Sequence, residues 1–239
     1  METLPNFGLA NTVTGFATLF SGCLPLALSY LMGKQPGRWM FVYWMILVTG
    51  IFTITLHGFG ETNPVLGARW FWAFLDTGSN IVVTWAVGLA VLGDYYDAKT
   101  RRWAAPLCTL LMIVGVAWHF YDRLPSTERA YLVPLGDWGG FYPGETWLIV
   151  FAWSNIALFV AKREQIPKNA VRLLLLTAAL FFAGMLLATA SNDKIIYPFI
   201  PLHALWHLVS AYGFMTLWAF NHVRFHQQPA EMRGMATAG

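Results

Sequence analysis

Seven apolar stretches, each near the roughly 20 residues needed to cross a bilayer as helix, dominate the chain. They fall at about 8–32, 39–57, 69–93, 103–120, 145–161, 169–189 and 197–222. A chain of this kind has few folds open to it. In hydrocarbon every backbone N–H and C=O must be satisfied within the protein, which leaves helices or closed barrels. Long continuous apolar runs, rather than short alternating ones, select helices. The expected architecture is therefore an all-α integral membrane protein, a seven-helix transmembrane bundle forming one domain over 1–239. Composition agrees: 57% of residues are hydrophobic and 11% charged, against about 25% charged in a soluble domain. The net charge of +3 comes from short basic clusters between the apolar runs, with no basic face for nucleic acid. Cys23 and Cys108 fall within spans and lack metal-ligand spacing, so no disulfide is expected. The first six residues lack the basic region of a cleavable signal peptide, so the first span is expected to remain.

Basic residues also set an expected orientation. Loops one, three and five and the C-terminus hold eleven: Lys34, Arg38, Lys99, Arg101, Arg102, Lys162, Arg163, Lys168, Arg172, Arg224 and Arg233. The other side holds four: Arg69, Arg123, Arg129 and Lys194. With seven spans this puts the C-terminus in the cytoplasm and the N-terminus outside. A bacterial cytoplasmic membrane is the expected location.

Ionisable residues inside spans are expensive and point to function. His203 and His207, four residues apart, stack on one helix face. His57 closes the second span, with Thr53 one turn deeper, and Asp76 lies seven residues into the third. On the expected topology Asp76 is roughly 10 Å down its helix, and His203 and His207 are roughly 9 and 15 Å down theirs, at 1.5 Å per residue. All fall in the outer half of the bilayer. Three imidazoles and a water are a catalytic zinc pattern. His57, His203 and His207 are the candidate ligands for one Zn2+, and Asp76 is the candidate proton acceptor. Thr53 is placed to donate to a developing oxyanion. The chemistry expected is hydrolysis of an amide or ester in a membrane lipid substrate, with the site toward the non-cytoplasmic side. Asn80 and Ser210, one turn from Asp76 and His207, are candidate supports for the site. His222 and His226 read as a solvated helix end, His119 as an interfacial histidine and Glu61 as a loop residue. Trp39, Trp70 and Trp103 fit an aromatic belt.

Thr53-x3-His57, Asp76 within Phe74-Leu75-Asp76, and His203-Ala204-Leu205-Trp206-His207 together resemble the CREST superfamily. That group holds alkaline ceramidases, the progestin and adiponectin receptors and haemolysin III-like proteins. The last segment is most similar to the alkaline ceramidases. The resemblance implies a zinc ion on His57, His203 and His207, Asp76 binding the zinc water, and Thr53 standing where the family has a serine that polarises the scissile carbonyl. Threonine keeps the hydroxyl but restricts its rotamers. The acidic N-terminal motif that binds calcium in eukaryotic alkaline ceramidases is missing, since residues 1–8 hold a single acidic residue, Glu2. No calcium site of that type is expected, and the substrate is a ceramide-like or other N-acyl lipid. Two other functions remain open: a zinc-containing lipid receptor or sensor, and, more remotely, a haem or quinone redox protein.

Overall fold

The computed structural model describes residues 7–60, 68–136, 140–190, 195–197 and 200–226. Residues 1–8, on which the calcium expectation rests, are described only from Phe7, and Glu61 and the C-terminal tail lie outside the described residues. Among the described residues are seven α-helices: α1 Phe7–Met32, α2 Gly37–Thr55, α3 Arg69–Tyr95, α4 Ala98–Arg123, α5 Pro143–Ala161, α6 Lys168–Ala190 and α7 Leu202–His226. Six of them, α1 to α6, are long and apolar enough to cross a membrane, the make-up of a multi-pass membrane protein. Helix α7 falls outside that group because its run carries His203, His207, Asn221, His222 and Arg224.

Helices α2, α3 and α7 form the centre. Trp39, Tyr43 and Ile46 of α2, Val83 and Ala90 of α3, and Phe220 of α7 are completely buried. Helix α1 closes on α2 through glycine. A Cβ at Gly22 would strike the Leu47 backbone, and one at Gly50 would strike that of Leu19. Small residues of this kind let two helices approach in lipid, where close packing drives association. Helix α4 is peripheral, and its exposed Leu107, Leu110, Ile113 and Trp118 present an apolar flank suited to lipid.

The starts of three helices depart from the apolar runs for identifiable reasons. Helix α4 begins at Ala98 rather than 103 because Asp97 caps it, accepting the Thr100 backbone N–H at 2.7 Å. That bond holds the Asp97 carboxyl below the usual carboxylate range. Hydropathy missed this turn because it carries Lys99, Arg101 and Arg102. Helix α5 gains a first turn at Pro143, where the Glu145 side chain accepts the Tyr142 N–H at 2.9 Å. Helix α7 begins at Leu202 rather than 197. The preceding stretch is extended, with β3 Ile195–Tyr197 antiparallel to β4 Ile200–Pro201. Proline at 201 disfavours helix at the residue before it. His203 thus lies in the first turn of α7, not roughly 9 Å down it as the apolar run suggested.

The long connection after α4 holds a second short pair, β1 Val133–Pro134 with β2 Gly140–Phe141. Near it His119 is fully buried, against the expectation of an interfacial histidine. Its ring fits against the Gly144 backbone, where a Cβ would collide with it, and beside the Phe74 ring.

Candidate metal centre

His203 and His207 occupy the first two turns of α7 and share a face, with ring centroids 4.7 Å apart. His57 comes from the far end of α2. There the helix widens into a single π turn, Leu56–Gly60, a feature common at functional sites. Its ring centroid lies 5.0 Å from that of His203 and 5.2 Å from that of His207. The Nε2 atoms of His57 and His203 are 3.2 Å apart. One donor nitrogen from each of the three rings falls within 4.8 Å of the others. For ligands about 2.0–2.1 Å from a tetrahedral ion, neighbouring donor atoms stand roughly 3.3 Å apart. The His57–His203 pair already meets that spacing.

Helix α1 fixes the third ring. Thr14 Oγ1 donates to the Ala10 carbonyl at 2.9 Å, with Asn11 O at 3.3 Å, which commits its only proton to its own helix. Its oxygen then accepts from His207 Nδ1–H, 3.1 Å away. The Nε2 of His207 is left with its lone pair, and this buried atom has no hydrogen-bond partner. A buried, unpartnered imidazole nitrogen on a ring packed against two other imidazoles suits a cation. The His57, His203 and His207 group can therefore hold a metal ion. All-imidazole donors suit zinc, copper, iron or nickel.

Asp76 is buried on α3, and its Oδ1 pairs with Thr53 Oγ1 of α2. Thr53 Oγ1 also lies 3.0 Å from the carbonyl of Thr49. One hydroxyl proton thus faces two acceptors. Asn80 Nδ2 donates to the Asp76 main-chain carbonyl at 2.9 Å, so this amide braces its own helix. Asp76 stands outside the three-histidine group yet lines a cavity together with one of its members, His207.

That cavity, of about 130 Å³, joins Thr53 and Asp76 to His207. Thr53, Asp76, Asn80, His207 and Ser210 line one end, and Val87, Phe159 and Leu217 line it farther along α3, α5 and α7. Trp206 walls it and sets its ring edge-on to His203 at 5.0 Å. His222 and His226 stay apart, at the other end of α7. His222 stacks on Trp218 at 5.0 Å, and exposed His226 meets the Met32 carbonyl at 3.0 Å.

The spacing of His203 and His207 was readable from sequence. Thr14 was not, because its partner lies 193 positions away on another helix. No local pattern distinguishes it from Thr12, whose hydroxyl bonds the carbonyl of Gly8 at 2.7 Å. Compared with models of known protein families and with curated proteins, the chain matches none.

Proposed function

We propose that this chain is a zinc-dependent intramembrane amidohydrolase that cleaves the amide of a ceramide-like or other N-acyl lipid. The reading rests on one observation: three convergent imidazoles, one of which, His207, borders a largely apolar cavity that a buried carboxylate, Asp76, also borders. The motif resemblance to the CREST superfamily, and to its alkaline ceramidases in particular, supports the same reaction. His57, His203 and His207 would hold the ion, and residues present at the site fit it through the unpartnered Nε2 of His207. Bound there, zinc supplies a Lewis acid and a water acidified toward a pKa of about 7.

The protein groups have separate tasks in this mechanism. Asp76 receives the proton of the attacking water through its carboxylate and later returns a proton to the leaving amine. The Thr53 hydroxyl orients Asp76 in the resting site and turns to the carbonyl oxygen as charge develops there. The apolar wall formed by Val87, Phe159 and Leu217 accommodates an acyl chain and excludes water. Asn80 and Ser210 border the polar end where the amide would lie. In the proposed topology α7 joins the six apolar helices as a seventh span. The charge count then places the N-terminus outside, the C-terminus in the cytoplasm and the site toward the non-cytoplasmic side of a bacterial cytoplasmic membrane.

Two measurements test the reading. Purified protein should carry about one zinc per chain, lost in His57→Ala and His203→Ala. Incubation with short-chain N-acyl sphingoid lipids should release fatty acid, and Asp76→Asn should lower that turnover by about 100- to 10,000-fold while zinc is retained. Zinc binding without lipid hydrolysis would favour a receptor. A haem absorption band in place of zinc would reject both.

A further inference from the structure

At the end of the bundle opposite the histidines lies a second buried cluster, which the proposed reaction does not use. Asp94 of α3 accepts from Arg38 through Oδ1 and from Arg224 and Trp39 through Oδ2, the Trp39 bond being 2.7 Å. Its side chain is 4% exposed and that of Arg224 is 1% exposed. Arg224 further donates to Tyr95 Oη at 3.0 Å and to Asn221 Oδ1 at 2.8 Å. Asn221 donates to Tyr43 Oη at 3.0 Å, and Tyr43 donates to Gln35 Oε1 at 2.7 Å. Aromatic rings pack round the guanidinium, with Phe225 at 4.1 Å and Phe220 at 5.1 Å. Gly93 leaves room for Arg38, whose Cδ would stand 2.9 Å from a Cβ there.

We propose that the Asp94 cluster is a positioning device for the metal centre, fixing the axial register of α2, α3 and α7 so that the three histidines and Asp76 converge. The inference rests on the metal reading above. The same three helices carry both clusters. His57 and Arg38 are 19 positions apart, Asp76 and Asp94 are 18, and His207 and Arg224 are 17. At 1.5 Å per residue these are nearly equal lengths of roughly 26–29 Å. The three helices are thus tied at two levels, like uprights between two crosspieces.

Energetics favour register over bulk stability as the role. A buried ion pair returns little net stability against apolar packing, and its best-attested use is to specify register. A metal centre needs such a device, since ligand distances tolerate about 0.2 Å. Slipping one helix by one residue moves its side chains about 1.5 Å and turns them by about 100°.

Asp94→Asn tests this, because it keeps the shape of the side chain and removes its charge. Zinc affinity is read by competition with a chromophoric chelator in detergent-purified protein. Register is read separately in metal-free protein, from the distance between spin labels at the exposed positions Ile51→Cys and Leu208→Cys, with Cys23 and Cys108 replaced by serine. The expected result is a 10- to 100-fold loss of zinc affinity with a shifted or broadened label distance. Arg38→Gln, which leaves the Arg224 pair intact, should give a smaller change in the same direction and covers the case in which Asp94→Asn does not fold. Lowered thermal stability with unchanged zinc affinity and label distance in either folded variant overturns the proposal. A wild-type protein that binds no zinc, with a label distance still dependent on Asp94, overturns the metal reading and sustains the register role.

Discussion

Thr14 shows how one hydroxyl settles the chemistry of a ring it does not belong to. With its proton given to the α1 backbone, its oxygen accepts from His207 Nδ1, which leaves the buried Nε2 without a hydrogen-bond partner. Partners that orient a metal-binding histidine are typically worth about 10- to 100-fold in metal affinity. Thr14→Val should weaken zinc binding by about that factor, and Thr14→Ser should restore it, measured by metal competition on the folded protein. The i,i+4 histidines were legible in the sequence because both lie on one helix. Arg224 was not legible: it sits where hydropathy fades toward a polar tail, and its burial depends on Asp94, 130 positions earlier. A single helix pattern cannot disclose a partner on another helix. Asp76 was found only because a carboxylate within an apolar run is costly wherever it points.

Among the helices, α1 and α2 depend on their glycines. Gly50 lies against the backbone of Leu19, with no space for a side chain. Gly50→Val should push α1 from α2 and destabilise the protein by about 1–3 kcal/mol, the usual cost of overpacking. Thermal unfolding in detergent measures this. The shift should also reach the metal centre, since Thr14 rides on α1 and His57 on the π turn that continues α2. The apolar runs located all seven helices because each requires a long stretch of similar residues. They misplaced the starts of α4, α5 and α7, which are set by individual residues: the Asp97 cap, the Glu145 contact and Pro201.

At the level of the whole molecule, the candidate centre joins three parts of the bundle. It takes one ligand from the end of α2, two from the start of α7 and a supporting hydroxyl from α1. An ion bound there would tie these helices together and stabilise the folded state by mass action. At free zinc 100-fold above the dissociation constant, the gain is about 2.7 kcal/mol. Chelation should therefore lower the unfolding temperature of the wild-type protein and leave that of His207→Ala almost unchanged. A scanning fluorimetry pair with and without chelator reads the difference.

The separation of the ligands along the chain also bears on biosynthesis. His57 and His203 are 146 positions apart. At 5–20 residues per second of translation, His57 is made about 7–30 s before the first of its partners. Through that interval the nascent protein has no complete three-histidine group, and an ion held by that group could be captured only once α7 has emerged and docked against α1. Any metal loading would then be a late event in biogenesis, and a chain stalled before α7 would lack two of the three candidate ligands.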